Sequence, residues 1–171
     1  VALLASTAQQ MYEGKADWSA IKNLVEHLKP TGVPVLGNGD IWSGADGVRM
    51  VTETGCAGVV VGRGCLGRPW LFADLVESFN GGQKKVLPSL HQVSEVMYRH
   101  GELIVDYFDS EDRGCRDLRK HMAWYLKGFR VHSELRRQFG MVGSLNELRS
   151  LLNQLDDQPY PVDVAEEPRG R

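Results

Sequence analysis

Two glycine-containing turns in this chain carry residue types that suit phosphate binding. The first turn, Asn38 to Asp40, follows the apolar run Val33 to Leu36, and the second, Gly62 to Gly64, follows Ala57 to Val61. Glycine lets the backbone approach a phosphate closely, and amides at the start of a following helix point at it with a favourable dipole. Arg63 adds a fork of charged donors. The two turns in tandem predict a phosphate-binding site.

Each of these residues also has a purely structural explanation. Glycine after a strand is an ordinary turn residue, Asp40 could cap a helix, and Arg63 could be a surface charge. Cys65 has the chemistry of a nucleophile, but no histidine accompanies it in the sequence. We therefore assign it no catalytic role.

The elements before the first turn read as a strand followed by a helix. VALLAST, at residues 1–7, resembles a buried strand, and Asp17 predicts the N-cap of a helix. Pro30 and Gly32 are expected to end that helix.

The apolar runs at residues 33–36 and 57–61 predict strands buried on both faces. A helix is expected near Ser43 to Thr54, with Gly55 closing it. This alternation indicates a parallel α/β sheet, and in a (β/α)8 barrel the loops after the last two strands commonly bind phosphate.

After Pro69 the pattern predicts helices only. The expected apolar faces are Val93, Val96, Met97, His100, Ile104, Tyr107 and Phe108 on one helix, Leu118, Met122, Tyr125, Leu126 and Phe129 on the next, and Leu145, Leu148, Leu151, Leu152 and Leu155 on the last.

The positive charge is concentrated in one stretch. Between Arg113 and Arg137 the sequence contains eight basic residues and two acidic ones. Aromatic residues lie among them, and this combination is typical of a nucleic-acid-binding surface. A solvated helix face explains the same charges. Residues 156–171 are acidic and contain proline, and we expect a poorly ordered tail there.

Composition excludes several classes of protein. With 42% hydrophobic residues in 171, the chain can bury a core, but no window reaches the roughly 20 apolar residues of a membrane helix. Three cysteines without a CxxC pair and five histidines without ligand spacing predict a reducing, cytoplasmic location and no metal. The first residue is Val1, and we expect the chain to be part of a larger protein.

Several motifs resemble the flavin-dependent tRNA-dihydrouridine synthases of the bacterial type. VPVLGNGDI is similar to the family's seventh barrel strand, VVVGRGCLGRPWLF to its eighth, and RKHMAWYLKGF to the signature of its helical domain. The resemblance implies the carboxyl-terminal part of a TIM barrel followed by a small all-α helical bundle. We expect barrel residues at 1–80, the helical domain at 81–155 and the tail at 156–171.

The resemblance also implies cofactors, a reaction and site residues. The family is expected to reduce uridine in tRNA to 5,6-dihydrouridine with FMN, NADPH being the reductant. The residues implied to hold the phosphate end of FMN are Asn38, Gly39, Asp40, Gly62 and Arg63, and those implied to face tRNA are Arg116, Arg119, Lys120, His121 and Lys127. None of the three cysteines matches the family's proton donor, so we expect this part alone to be inactive.

One motif departs from the family. Where its members usually read H-A-R-T, this chain has Leu4, Ala5, Ser6 and Thr7. We expect either a weakened flavin site or an altered segment at these residues. A non-catalytic RNA-binding module and another phosphate-binding barrel enzyme remain as alternative functions.

Overall fold

The computed structural model describes residues 1–5 and 15–161. Within them the chain forms two compact units. One, the α/β unit, comprises Val1–Cys65 and Pro69–Val86, and the other, the helical unit, comprises Leu66–Arg68 and the described residues from Leu87 onwards. The division therefore lies after Val86, and three residues that follow the second glycine turn belong to the helical unit.

The α/β unit contains a three-stranded parallel sheet and three helices. In chain order its elements are β1 (Ala2–Leu4), α1 (Trp18–Leu28), β2 (Leu36–Asn38), α2 (Gly44–Thr54), β3 (Gly58–Val60) and α3 (Leu71–Phe79). The strand order is β1-β2-β3, so both connections are parallel crossovers through a helix. The predicted mixed α/β character is confirmed for this unit.

Local capping signals set the ends of α1 and α2 as predicted. Asp17 Oδ1 accepts the backbone N–H of Ser19 at 2.9 Å, and α1 ends in a 3-10 turn closed by Gly32 in the left-handed region. Ser43 caps α2, and Gly55 ends it with φ of 73°. These residues satisfy backbone groups that a helix end leaves unpaired.

The hydrophobic core of the α/β unit lies against one face of the sheet. Ile21, Val35, Met50 and Cys56 are buried together on the side where α1 and α2 lie. On the opposite face, aligned side chains of the three strands stay accessible, with Leu4 66%, Leu36 37% and Val60 36% exposed.

The prediction of strands at residues 33–36 and 57–61 buried on both faces is therefore wrong. Both strands are shorter, and the described residues cover one face only. Pro34 has no backbone N–H and cannot donate a hydrogen bond to a neighbouring strand. The hydrogen bonds that this segment donates to the first strand begin at Leu36, whose N–H donates to the Val1 carbonyl at 2.7 Å.

The helical unit contains α4 (Leu90–Phe108), α5 (Glu111–Tyr125), α6 (Ser133–Phe139) and α7 (Leu145–Leu152). The core is formed by side chains at most 5% exposed: Leu90, Val93, Met97, Cys115, Leu118, Met122, Tyr125, Leu126, Phe129, Phe139, Val142, Leu148, Leu151 and Leu152. The predicted apolar faces are confirmed for most of their members. Nothing in the described part of the chain is a helix both long and apolar enough to cross a membrane.

Tyr107 was expected on the buried face of α4 and is instead 82% exposed. The backbones of α4 and α5 lie close together two residues earlier, where a Cβ on Gly114 would lie 2.7 Å from the Val105 Cα. Tyr107 lies beyond that close approach, and its ring packs edge-on against Phe108.

The expectation of a poorly ordered tail from residue 156 is wrong for its first residues. The Leu90 N–H donates to the Gln158 carbonyl at 2.8 Å, and the Gln158 side chain exchanges two hydrogen bonds with the backbone of Arg130, each of 2.9 Å. Tyr160 is 6% exposed and packs on Phe129. Hydrogen bonds from Gln158 and the packing of Tyr160 therefore fix the start of this acidic segment; residues 162–171 lie outside the described range.

Candidate functional site

Asn38 and Gly62 meet at the carboxyl ends of β2 and β3. Asn38 is paired in register with Val60, and its Nδ2 donates to the Val60 carbonyl at 2.7 Å. A Cβ built on Gly62 would find its nearest neighbour, adjacent residues aside, in Asn38 Nδ2 at 4.0 Å. The backbone after β3 is therefore accessible, as a close approach to a phosphate requires.

Asp40 and Arg63 join the two turns. Arg63 Nη2 lies 3.7 Å from Asp40 Oδ1, and its guanidinium lies 5.4 Å from the centre of the Trp42 ring. Both charged side chains are partly buried. The structure therefore brings the five predicted phosphate-site residues, Asn38, Gly39, Asp40, Gly62 and Arg63, to neighbouring positions at one edge of the sheet.

Two residues at the start of α1 support this edge and were not assigned from sequence. The Ala16 N–H donates to Asp40 Oδ2 at 2.7 Å, and Trp18 Nε1 donates to the Gly39 carbonyl at 3.0 Å. The available signal was the Asp17 N-cap, which fixes where the chain turns into α1. It could not show that this turn lies beside residues 39 and 40.

The amino end of α2 is capped by its own side chains. Asp46 Oδ2 accepts the backbone N–H groups of Trp42 and Ser43 at 3.1 and 3.0 Å, and Ser43 Oγ accepts the Asp46 N–H. The first turn therefore already contains a carboxylate, which satisfies two nearby N–H groups and places a negative charge at this helix end. Arg63 and the turn backbone, rather than this helix dipole, are the donors that fit a phosphate.

A cleft of about 430 Å³ opens beside Asp40 in the same unit. It is lined by Lys15, Ala16, Trp18, Asp40, Trp42, Asp46, Arg49 and Glu53. Three of these are carboxylates, and Asp40 alone belongs to the predicted phosphate site. Its charges are matched internally, since Arg49 lies 3.2 Å from Asp46 and 3.8 Å from Glu53.

Cys65 follows Arg63 in a short 3-10 turn, and its thiol donates to the Gly62 carbonyl at 3.1 Å. Burial raises the pKa of this thiol, which disfavours the thiolate that a nucleophile requires. In residues 1–5 and 15–161 no three His, Cys, Asp or Glu side chains are grouped to hold a metal.

In the helical unit, Arg116 and Lys120 lie exposed on α5 as predicted. Arg116 pairs with Asp112, and Lys120 Nζ lies 2.7 Å from Asp117. Carboxylates one helical turn away therefore offset part of their charge.

The other basic residues differ in their surroundings. Arg119 Nε donates to the Val142 carbonyl at 2.9 Å, and Arg136 donates to the carbonyls of Leu126 and Phe129 at 3.0 and 2.7 Å. Lys127 is half-buried. The positive stretch thus serves partly to satisfy backbone carbonyls, a use that a count of charges does not reveal.

His121 packs in an aromatic cluster rather than standing as a surface charge. Its ring centre lies 4.7 Å from that of His100 and 5.1 Å from that of Trp124, while Tyr125 Oη is 3.1 Å from His100 Nδ1. Burial first, then the charges of His100 and Lys120, lower the pKa of His121 from 6.5 to about 4. The ring is therefore neutral at pH 7.

A family model described as "Dihydrouridine synthase (Dus)" matches residues 1–160. The matched residues include the parallel βαβαβ sheet, the turns at the carboxyl ends of its strands, and the helical unit that follows in the chain. The chain belongs to the dihydrouridine synthase family, as the sequence motifs indicated.

Curated relatives support the same assignment. The chain is 52% identical over 172 residues to a "Probable tRNA-dihydrouridine synthase" of Mycobacterium leprae (strain TN), covering all of this chain and 44% of that protein. It is 51% identical to a protein of the same name from Mycobacterium tuberculosis (strain ATCC 25618 / H37Rv), covering 100% and 43%. A Rickettsia bellii (strain RML369-C) protein of that name is 37% identical over 141 residues, covering 82% and 41%. The chain thus spans less than half the length of these relatives.

Proposed function

We propose that this chain is the carboxyl-terminal part of an FMN-dependent tRNA-dihydrouridine synthase of the cytoplasm. In this proposal the α/β unit is the last part of a TIM barrel, and the helical unit is a small bundle that contacts tRNA. Family membership and the names of the relatives support it, as does their greater length.

One observation carries the cofactor part of the proposal: Asn38, Gly62, Arg63 and Asp40 lie together where β2 and β3 end. A guanidinium and open turn backbone fit the terminal phosphate of FMN, because both offer donors to its oxygens. Residues that would hold the phosphate are Gly62 and Arg63, with Asn38 fixing the neighbouring strand ends.

When bound, FMN reduced by NADPH supplies the hydride for the 5,6 double bond of uridine. The residues of this chain bind and orient the phosphate end. We assign no proton donor among Cys56, Cys65 and Cys115, since the first and last are buried and the thiol of Cys65 donates to a carbonyl. The chain by itself is therefore expected to be inactive.

The test uses the full-length protein that carries this chain. It should be purified yellow with bound flavin, and Arg63→Ala should weaken FMN binding about tenfold or more, because one charge-assisted contact is lost. Arg49→Ala, which removes a guanidinium from the neighbouring cleft, is the matched control and should bind FMN normally. Equal FMN affinity in wild type and Arg63→Ala would remove the phosphate assignment.

A second candidate, an RNA-binding module without redox chemistry, is favoured by Leu4. This apolar side chain lies in the same row as Asn38 and Val60 on the open face of the sheet, where the family motif has a histidine. Colourless full-length protein that still binds tRNA in a salt-dependent way would support this candidate, whereas stoichiometric FMN would exclude it.

A further inference from the structure

We infer that the Asp40 carboxylate is a positioning group, which holds Arg63 in place for the phosphate and does not itself contact the cofactor. The inference rests on the proposed function. It gives different roles to Asp40 and Arg63, which the sequence motifs alone assign together to phosphate binding.

The Asp40 carboxylate is engaged on both oxygens. Oδ2 accepts the Ala16 N–H at 2.7 Å, and Oδ1 lies 3.7 Å from Arg63 Nη2. The backbone of Asp40 has φ of 51°, in the left-handed region that aspartate and asparagine tolerate better than most residues. The Ala16 N–H, just before α1, therefore holds the carboxylate beside Arg63.

Charge argues against direct contact between Asp40 and a phosphate. Two anions repel, and at a partly buried site the repulsion is stronger than in water. A carboxylate placed at a phosphate site is explained if it orients the cation that binds the phosphate. Arg63 is the cation that lies beside it.

Orientation matters for arginine because its long side chain loses rotamer freedom when a ligand fixes it. Here Asp40 contacts the guanidinium on one side and the Trp42 ring lies 5.4 Å from it. Much of the ordering therefore takes place before a phosphate arrives, and less of the binding free energy is lost to it.

The test is a double-mutant cycle of FMN affinity in the full-length protein. It compares wild type, Asp40→Asn, Arg63→Ala and the double variant, with the dissociation constant measured by flavin fluorescence. Asparagine keeps an oxygen for the Ala16 N–H and tolerates the same backbone, so the fold is retained. Glu53→Gln, which removes a carboxylate from the neighbouring cleft, is the control and should leave the affinity unchanged.

We expect Asp40→Asn to weaken FMN binding about fivefold or more when Arg63 is present, the loss typical of a disturbed charged contact. In the Arg63→Ala background the same change should have no effect or should tighten binding, because only repulsion remains. Asp40→Glu, which keeps the charge, should lie between wild type and Asp40→Asn.

Three outcomes would overturn the inference. Equal weakening by Asp40→Asn in both backgrounds would mean that Asp40 acts on the cofactor or on the fold independently of Arg63. Tighter binding by Asp40→Asn alone would mean that repulsion outweighs positioning. Unchanged FMN affinity in Arg63→Ala would overturn the proposed phosphate site together with this inference. The first two outcomes would overturn the role of Asp40 alone.

Discussion

Each helix of the helical unit contributes fully buried apolar side chains to one core, whereas the α/β unit leaves one face of its sheet accessible. Phe139, Leu118 and Leu148 are fully buried in the helical unit. In the α/β unit the core lies between the sheet and its helices, and Leu4 and Val60 remain exposed on the other side. Both units therefore have a core, but the α/β unit also presents an accessible sheet face next to its candidate site.

Replacing one large apolar residue in each unit, a buried one in the helical unit and an accessible one in the α/β unit, gives the largest contrast. Phe139→Ala should lower the free energy of unfolding by about 3–5 kcal/mol, because a fully buried ring leaves a cavity. Leu36→Ala, on the accessible sheet face, should cost about 1 kcal/mol or less. Denaturant unfolding of the 171-residue chain, with amide exchange to locate the loss, measures both. Similar losses of unfolding free energy in the two variants would refute the contrast between the core of the helical unit and the accessible sheet face.

A pair of glycines with nearly equal backbone angles sharpens the comparison. Gly67 in the helical unit has φ of 65°, and a Cβ there would lie 2.3 Å from the Trp124 carbonyl carbon. Gly32 in the α/β unit has φ of 68°, and a Cβ there would meet no atom of the described residues within 4 Å apart from its chain neighbours. Gly32→Ala should therefore cost about 1 kcal/mol from backbone strain alone, and Gly67→Ala about 3 kcal/mol or more. Thermal unfolding of both variants checks this, and equal shifts would show that packing at Trp124 is looser than the distances indicate.

Acid should weaken the helical unit through His121. Its folded pKa of about 4 lies below the ordinary 6.5, so the unfolded chain binds the extra proton first. Stability should fall by about 1–2 kcal/mol, allowing for partial exposure, as pH drops from about 6.5 to about 4, and the loss should level off below that. His121→Gln should flatten this part of the profile, while His132→Gln, at an exposed position, should not. An unchanged profile in His121→Gln would place the acid sensitivity elsewhere.

The smallest expected effect concerns RNA binding by the helical unit. In the full-length protein, Arg116→Ala combined with Lys120→Ala should weaken tRNA binding about three- to tenfold and make it less dependent on salt, since fewer counterions are released. Each charge is already offset by Asp112 or Asp117, which limits the loss. Arg137→Ala, at an exposed position paired with Glu134, is the control. A steeper loss in the control would move the tRNA surface to α6.

Local signals were sufficient to predict the helix ends of the α/β unit. Asp17, Ser43 and Gly55 act on backbone groups within a few residues, so their effect is readable from neighbouring sequence. The closeness of the two glycine turns also followed, because adjacent parallel strands end at the same edge.

Features that depend on distant contacts did not follow from the sequence. The packing of Tyr160 orders residues that composition assigned to a tail, and the Ala16 N–H bond to Asp40 joins segments far apart in the chain. Composition and periodicity describe one segment at a time. They do not show which distant segment of the chain packs against it or forms hydrogen bonds with it.

The central claim is that the carboxyl ends of β2 and β3 bind the phosphate of FMN. A crystal structure of the full-length protein with FMN tests it most directly. We predict phosphate oxygens within hydrogen-bond distance, about 3 Å, of the Arg63 guanidinium and of the backbone at Gly62. FMN bound with its phosphate away from both residues would contradict the account.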